Sequence, residues 1–181
     1  MATRIYKPEV SFGEKLNEVD FHTLSYKKMP KGSIIQQRDF TAIEQEQITS
    51  GSGETATALS VTITPKLDTS KMWIMVTAAV HTDLVGINND LQGAMSIYRN
   101  GTRITEPNSF SIRFIGDGQS YWEHGGMFAI QDFDKPMTNQ PVTYTLYLNP
   151  KTSNADIYLN VNFGNLSDKS QSTMSVMEIR Q

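Results

Sequence analysis

Few residues in this sequence have the type and spacing that enzyme chemistry requires. The three histidines, His22, His81 and His124, stand far apart, and none has a histidine partner at the spacing of metal ligands. The absence of cysteine excludes disulfides, thiolate zinc sites, iron–sulfur clusters and cysteine nucleophiles. The sequence also lacks a Gly-x-Ser-x-Gly elbow, a P-loop and a dinucleotide-binding glycine pattern. We therefore expect no catalysis and no bound metal or cofactor.

Asp132 and Asp134 are the best-placed pair of carboxylates. They follow a predicted strand and precede Pro136. Two residues apart in an extended chain, their side chains point to the same side, where they could bind a hard cation such as calcium. A calcium loop needs several more oxygen ligands at short spacing, and they do not follow here. The pattern favours a polar turn that ends strand pairing, with a cation site as the alternative.

Tyr121, Trp122 and His124 form an aromatic and polar segment in a predicted loop. Aromatic rings on loops stack on sugars, so these three residues are candidates for contact with a glycan. The alternative is that Trp122 closes one end of the hydrophobic core. The sequence favours this second interpretation.

Length and charge limit the remaining possibilities. A chain of 181 residues is long enough for one well-buried domain with an appendage. Its 16 basic and 19 acidic residues give a formal charge of −3, which argues against nucleic-acid binding. No stretch approaches the ~20 apolar residues of a membrane span, and the first ten residues lack the apolar run of a signal peptide. We expect a soluble protein without an export signal.

Short segments of alternating apolar and polar residues predict an all-β fold. The alternation is clearest over residues 142–149 and 156–163, and Asn100-Gly101 between β-forming residues predicts a hairpin turn. Residues 41–48 fit a helix no better than an irregular edge strand. About ten such strands separated by Gly, Pro, Asn and Ser predict an antiparallel β-sandwich or jelly roll.

Two predicted strands carry apolar side chains on both faces, which a half-exposed strand would not do. One is the apolar run over residues 71–81, and the other is the last strand, over residues 173–179. Either a neighbouring subunit or a second layer of the same subunit must cover the additional face. On the first interpretation, the subunit interface includes Trp73, Met75, Met174, Val176, Met177 and Ile179.

Residues 1–31 form a separate N-terminal segment. They carry six basic and four acidic residues, a local charge of +2, whereas the remaining residues carry −5. Their large side chains follow neither the period of a strand nor that of a helix. We predict an extended arm that becomes ordered on another surface, with a frayed terminus and one short helix near residues 14–21 as the alternative. The anchoring residues would include Arg4, Ile5, Tyr6, Phe12, Phe21 and Tyr26.

Pro30 and Gly32 interrupt the chain after this arm, so we place the boundary of the main domain, residues 32–181, at this point. From this boundary onward, six pieces occur in a characteristic order: residues 30–36 (PKGSIIQ), 60–65 (SVTITP), 69–76 (TSKMWIMV), 97–102 (IYRNGT), 144–148 (YTLYL) and 172–179 (STMSVMEI). On the basis of the order and spacing of these pieces, residues 30–179 resemble the trimeric C1q- or TNF-like jelly-roll domains in structural proteins of tailed bacteriophages.

This resemblance implies a homotrimer with a structural role in a virion. A free-standing jelly roll with an anchoring arm would suit a capsid decoration, or cement, protein that holds the major capsid protein through its arms. The alternative is a tail-fibre or receptor-binding tip, attached to tail proteins and contacting host glycans through Tyr121, Trp122 and His124. Neither role requires a cofactor or enzymatic activity.

Overall fold

The computed structural model describes residues 26–85, 91–106, 111–114, 121–151, 155–162 and 165–181. These residues form a short 3-10 helix (Tyr26–Lys28) and antiparallel strands, which confirms the predicted all-β class. The strands are β1 (Ile34–Ala42), β2 (Glu46–Ile48), β3 (Thr55–Ile63), β4 (Lys71–Val85), β5 (Leu91–Arg99), β6 (Thr102–Arg103), β7 (Ser111–Phe114), β8 (Tyr121–Asp134), β9 (Val142–Pro150), β10 (Ala155–Leu159), β11 (Val161–Asn162), β12 (Asn165–Lys169) and β13 (Ser172–Ile179).

Two sheets pack face to face. In the first sheet, β4 is central: β8 pairs with one edge along its whole length, while β13 and then β10 pair with the other edge. Strand β1 lies outside β13, and β2 lies outside β10. The second sheet has the order β3-β9-β5, with β6 and β7 both paired to β5. The chain crosses from one sheet to the other between β2 and β5 and again between β7 and β10, which gives the predicted antiparallel β-sandwich.

The hydrophobic core lies between the two sheets and follows from the alternation in the sequence. Every second residue of β9, from Val142 to Leu148, is buried, and the residues between them are half-buried. Burial of each large apolar side chain contributes roughly 1.5–3 kcal/mol, so this alternation also fixes the register of the strands. The inward residues include Leu59, Val61, Ile63, Met72, Ile74, Val76, Tyr144, Leu146, Leu148, Met174 and Val176.

The predicted hairpin turn at Asn100-Gly101 is confirmed. Both residues have positive φ, 48° and 78°, as a two-residue turn between twisted strands requires. The side-chain oxygen of Asn100 accepts a hydrogen bond from the backbone N–H of Thr143 at 2.8 Å. The turn therefore also attaches the β5–β6 hairpin to the beginning of β9.

Two elements differ from the sequence predictions, and a third decides between two alternatives that the sequence left open. Tyr121–His124, predicted as a loop, form the first part of β8, because β4 continues to Val85 and supplies backbone partners for them. Within residues 41–48, β2 pairs with β10, so the edge strand is correct and the helix is not. The strand predicted over residues 156–163 is interrupted at Asn160, whose φ of 63° cannot continue a strand.

Candidate subunit interface

The side chains that point away from the core on β4, β8 and β13 are unusually apolar. Strand register places Trp73 between Phe133 of β8 and Met177 of β13, with all three on the outer side of the first sheet. We call this surface the outer apolar face; it consists of Ile34, Trp73, Met75, Met127, Phe133, Met177 and Ile179. Four of the six residues predicted to form a subunit interface therefore share one surface.

Contacts between neighbouring side chains hold this face in a defined shape. The rings of Trp73 and Phe133 stack with their centroids 5.8 Å apart. The indole N–H of Trp73 donates to the side-chain oxygen of Gln131 at 3.1 Å. The ammonium group of Lys71 lies 3.8 Å from the centre of the Phe133 ring, in a cation–π contact. A preorganised apolar surface loses little side-chain entropy when it binds a partner.

Exposure distinguishes this face from an ordinary protein surface. Met127 is 60% exposed and Phe133 is 47% exposed, although both are large and apolar. A shallow groove of about 330 Å³ between them is lined by Met75, Thr77 and Ala129, among others. Contiguous exposed apolar surface of this kind marks association sites in soluble proteins.

The edge of β8 adds a second feature of an association site. Among the described residues, β8 pairs only with β4, so no described strand lies along its other edge. Proteins usually protect such edges with short strands, charges or bulges. At 14 residues, β8 is long, and its outward side chains near the centre are Met127, Ala129 and Gln131.

Met174 and Val176 correct the interface prediction. Both side chains are fully buried between the two sheets of the same subunit, where they belong to the core. On β13 they alternate with Met177 and Ile179, which point outward. The two faces of this strand are therefore apolar for different reasons. The inward pair belongs to the core, and only the outward pair is available to a neighbouring subunit.

The other predicted contact residues belong to the first part of β8 and to the N-terminal arm. Tyr121, Trp122 and His124 belong to β8, but their side chains are outside the described residues, so the glycan contact remains a prediction. In the arm, Tyr26 is half-buried in the 3-10 helix. Arg4, Ile5, Tyr6, Phe12 and Phe21 lie outside the described residues.

Asp132 and Asp134 are inward-pointing residues at the end of β8. Both carboxylate oxygens of Asp134 accept hydrogen bonds from Arg99 at 2.8 Å, and the Tyr144 hydroxyl donates to one of them at 2.8 Å. Burial, followed by this bond to Asp134, raises the pKa of Tyr144. Asp132 accepts a hydrogen bond from the backbone N–H of Phe133 at 2.7 Å.

In the part of the chain that the structure describes, no three His, Asp or Glu side chains are grouped as a metal ion would need.

Sequence reasoning missed a polar cluster on the outer side of the second sheet. The carboxylate of Glu54 pairs with Arg103 and accepts hydrogen bonds from the hydroxyls of Ser96 and Tyr98. The Tyr98 and Tyr147 rings stack with centroids 3.8 Å apart, and burial, followed by the proximity of Tyr147, raises the pKa of Tyr98. Positions 54 and 98 are far apart in sequence, so only the pairing of strands could reveal this cluster.

The two outer faces therefore differ in chemistry. On the same outer side, β9 carries Thr143, Thr145 and Tyr147, and β3 carries Ser60 and Thr62 besides two alanines. The hydroxyl oxygens of Thr62 and Thr143 lie 2.7 Å apart. The polar groups on such a face form hydrogen bonds with one another or with solvent. The outer apolar face of the first sheet has few polar groups to hydrate, which makes it the better candidate for contact with another subunit.

No helix among the described residues is long and apolar enough to span a membrane.

No protein-family model and no curated protein match the sequence. Among solved structures, the chain is similar to dimeric latent PorU from Porphyromonas gingivalis, with 12% identity and a TM-score of 0.40 over 83% of this chain and 14% of PorU.

It is also similar to the VP2 subviral particle of infectious bursal disease virus, with 13% identity and a TM-score of 0.33 over 82% of this chain and 39% of VP2. The Gt strain of the same virus gives 10% identity and a TM-score of 0.33, over 82% of this chain and 39% of the other. The chain thus spans less than half the length of each of these proteins. Likeness at this level assigns neither a family nor a function.

Proposed function

We propose that the chain is a virion structural protein without enzymatic activity: a homotrimeric capsid decoration protein of a tailed bacteriophage. In this role, the jelly-roll domain associates through its outer apolar face, and the N-terminal arm attaches the trimer to the major capsid protein. The phage assignment rests on the resemblance of residues 30–179 to phage jelly-roll domains. The observation that carries the proposed assembly is the outer apolar face.

The energetics of that face favour association. Each large apolar side chain that becomes fully buried contributes roughly 1.5–3 kcal/mol. Association itself costs on the order of 4–15 kcal/mol in lost translational and rotational freedom. Met127 and Phe133 are 60% and 47% exposed, and the half-buried Trp73, Met75 and Met177 add their remaining exposed area. Burial of this area can offset a cost near the lower end of that range, and a partner would also cover the outer edge of β8. In a single subunit, the exposed parts of these side chains remain in contact with water.

The arm explains how a small trimer would remain on a large shell. Three arms on one trimer bind in a linked way, because attachment of the first arm raises the effective concentration of the other two. Modest contacts by Ile5, Tyr6, Phe12 and Phe21 would then suffice for lasting attachment. The predicted absence of regular secondary structure in this segment agrees with a peptide that becomes ordered on its partner.

Deletion of residues 2–25 tests the arm directly, since it leaves every described residue in place. We expect the truncated protein to remain a folded trimer and to lose binding to purified shells that lack the protein. Cosedimentation with such shells measures the binding, and circular dichroism with sedimentation velocity verifies the trimer. Full binding by the truncated trimer would contradict the role of the arm.

Copy number distinguishes the shell from the tail. A capsid decoration protein is present in hundreds of copies per particle, whereas a tail-fibre tip or receptor-binding protein is present in a handful or a few dozen. Quantitative mass spectrometry of purified virions, with the major capsid protein as internal standard, gives this number. A low copy number would favour the alternative role at the tail.

A further inference from the structure

One end of the sandwich carries a concentration of positive charge that the overall composition conceals. We call this the arm end; it is formed by residues 26–33, 64–70, 135–141 and 180–181, next to the first residues of β1 and β4. Its exposed or half-exposed basic residues are Lys27, Lys28, Lys31, Lys66, Lys135 and Arg180. The chain as a whole has a charge of −3.

The acidic residues at the arm end do not balance this charge. Asp134 is paired with Arg99, and Glu178 is fully buried. Asp68 is exposed and Asp132 is half-exposed, and these are the other described acidic side chains at this end. The described part of the arm end therefore has a clear excess of positive charge at its surface.

An exposed apolar side chain projects from the same end. Met137, in the loop between β8 and β9, is 69% exposed, more than any other large apolar residue among those described. Its φ of 53° lies in the left-handed region, which residues with a Cβ atom seldom adopt. Ile34, at the start of β1, is 51% exposed near this end. Strained backbone and exposed apolar side chains together are typical of contact sites.

The N-terminal arm joins the domain at this end. The backbone N–H of Gly32 donates to the carbonyl of Arg180 at 2.8 Å, and the N–H of Arg180 donates to the carbonyl of Ser33 at 3.0 Å. These bonds fix the point where the chain enters the sandwich. An arm that is anchored to a larger surface therefore favours contact between that surface and the arm end, with its lysines and Met137.

We infer that the arm end is a second docking surface, which binds an acidic protein surface with an apolar pocket for Met137. This inference rests on the proposed function, and its partner is the shell protein that holds the arm. Charge complementarity requires the acidic partner. Met137 favours a protein over a nucleic acid, because an exposed methionine side chain in the same loop as Lys135 contributes nothing to phosphate contacts. The domain then binds in one orientation, with the opposite end of the sandwich directed away from the shell.

Two variants of the full-length protein test this surface by cosedimentation with shells that lack the protein. The triple variant Lys31→Glu, Lys66→Glu, Lys135→Glu should weaken binding at least about tenfold at moderate salt, with a smaller effect at high salt. Met137→Gly should weaken binding several-fold while the melting temperature is unchanged or higher, because glycine relieves the positive φ. A loss of binding without a loss of stability is not expected from a purely structural residue.

Matched controls lie at the opposite end of the sandwich. Lys151→Glu combined with Lys169→Glu changes charge there, and Ile43→Ala removes an apolar side chain that is 50% exposed. Both should bind shells as the unmodified protein does. Equal weakening by these controls would overturn the inference, because it would show a general effect of charge or apolar area.

The arm deletion separates failure of this inference from failure of the proposed function. If the deletion abolishes binding while the triple variant and Met137→Gly bind normally, the arm end is not a docking surface and the arm remains the anchor. If the triple variant loses binding and the deletion does not, the inference holds and the proposed role of the arm fails. Displacement from shells by duplex DNA at low concentration would overturn the acidic protein partner in favour of an anionic polymer.

Discussion

Glu178 shows how one buried carboxylate organises the arm end. It accepts hydrogen bonds from the backbone N–H groups of Lys66 and Leu67 at 2.8 and 3.0 Å, from the hydroxyl of Ser70 at 2.6 Å and from the side chain of Gln36 at 2.6 Å. A buried charge is tolerated only where donors of this kind replace water. These bonds connect β13 to β1 and to the loop before β4.

Substitution of Glu178 should therefore destabilise the domain strongly. Glu178→Gln keeps the shape but places an amide N–H₂ among donors, and we expect the free energy of unfolding to fall by about 2–3 kcal/mol. Urea denaturation followed by tryptophan fluorescence measures the change. Glu106→Gln, at an exposed position, is the control and should change stability by less than about 0.5 kcal/mol. Equal stability of the two variants would contradict the importance of the buried network.

Glu46 should make stability depend on pH in a specific direction. Burial raises the pKa of this carboxyl, although the backbone N–H of Ala58 donates to it at 2.9 Å and partly opposes the shift. The folded state thus holds the proton more tightly than the unfolded state, so the contribution of Glu46 is most favourable at low pH and is lost as pH rises through the raised pKa.

Comparison with Glu46→Gln isolates this contribution, because glutamine can still accept from Ala58 but does not ionise. The free energy of unfolding of the variant minus that of the unmodified protein should increase between about pH 4 and about pH 7. Urea denaturation at a series of pH values measures it. A difference that stays constant or decreases over this range would show that burial does not control this carboxyl.

At the scale of elements, the sequence predicts strands well where one face packs on the core. Residues 142–149 alternate strictly, and the structure places β9 at Val142–Pro150. The aromatic and polar residues 121–124, beside Gly116 and Gly118, predict a loop, whereas their pairing with β4 depends on a strand about 40 positions earlier. The alternation of apolar and polar residues indicates which face of a strand is buried, but it does not indicate which other strand pairs with it.

The same limit applies to the candidate site. The sequence showed that β13 has apolar residues on both faces, but it could not say which face is inside. Only the packing of the second sheet decides that Met174 and Val176 are core residues while Met177 and Ile179 point outward. Contacts such as Asp134 with Arg99, or Glu54 with Arg103, join different strands and leave no local pattern in the sequence.

If the outer apolar face is the interface, a charge placed on the first sheet should weaken oligomerisation, whereas a charge placed on the outer side of the second sheet should not. Met75→Asp places a charge in the centre of this face without altering the core, so we expect the dissociation constant of the oligomer to rise about 100-fold or more, with secondary structure retained. Ala56→Glu, on an exposed position of β3 in the second sheet, is the matched control. Sedimentation velocity over a range of protein concentrations gives both constants. Equal oligomerisation of the two variants would place the interface elsewhere.

For the whole molecule, the contrast between its two faces couples folding to assembly. One sheet is covered on its outer side by polar groups that bond to one another, whereas the other exposes large apolar side chains in a single subunit. A subunit with that surface uncovered has a smaller share of its apolar area removed from water, and its folded state is correspondingly less stable. Association then contributes to the stability that each subunit shows.

This coupling predicts that the melting temperature depends on protein concentration. Binding of one folded subunit by others favours the folded state by mass action, so dilution should lower the melting temperature of the unmodified protein by several degrees over about a 100-fold range. The monomeric Met75→Asp variant should melt at one temperature throughout this range, below that of the concentrated unmodified protein. Differential scanning calorimetry measures both. A concentration-independent melting temperature for the unmodified protein would mean that each subunit is stable with its outer apolar face in water, and the proposed trimer would lose its energetic basis.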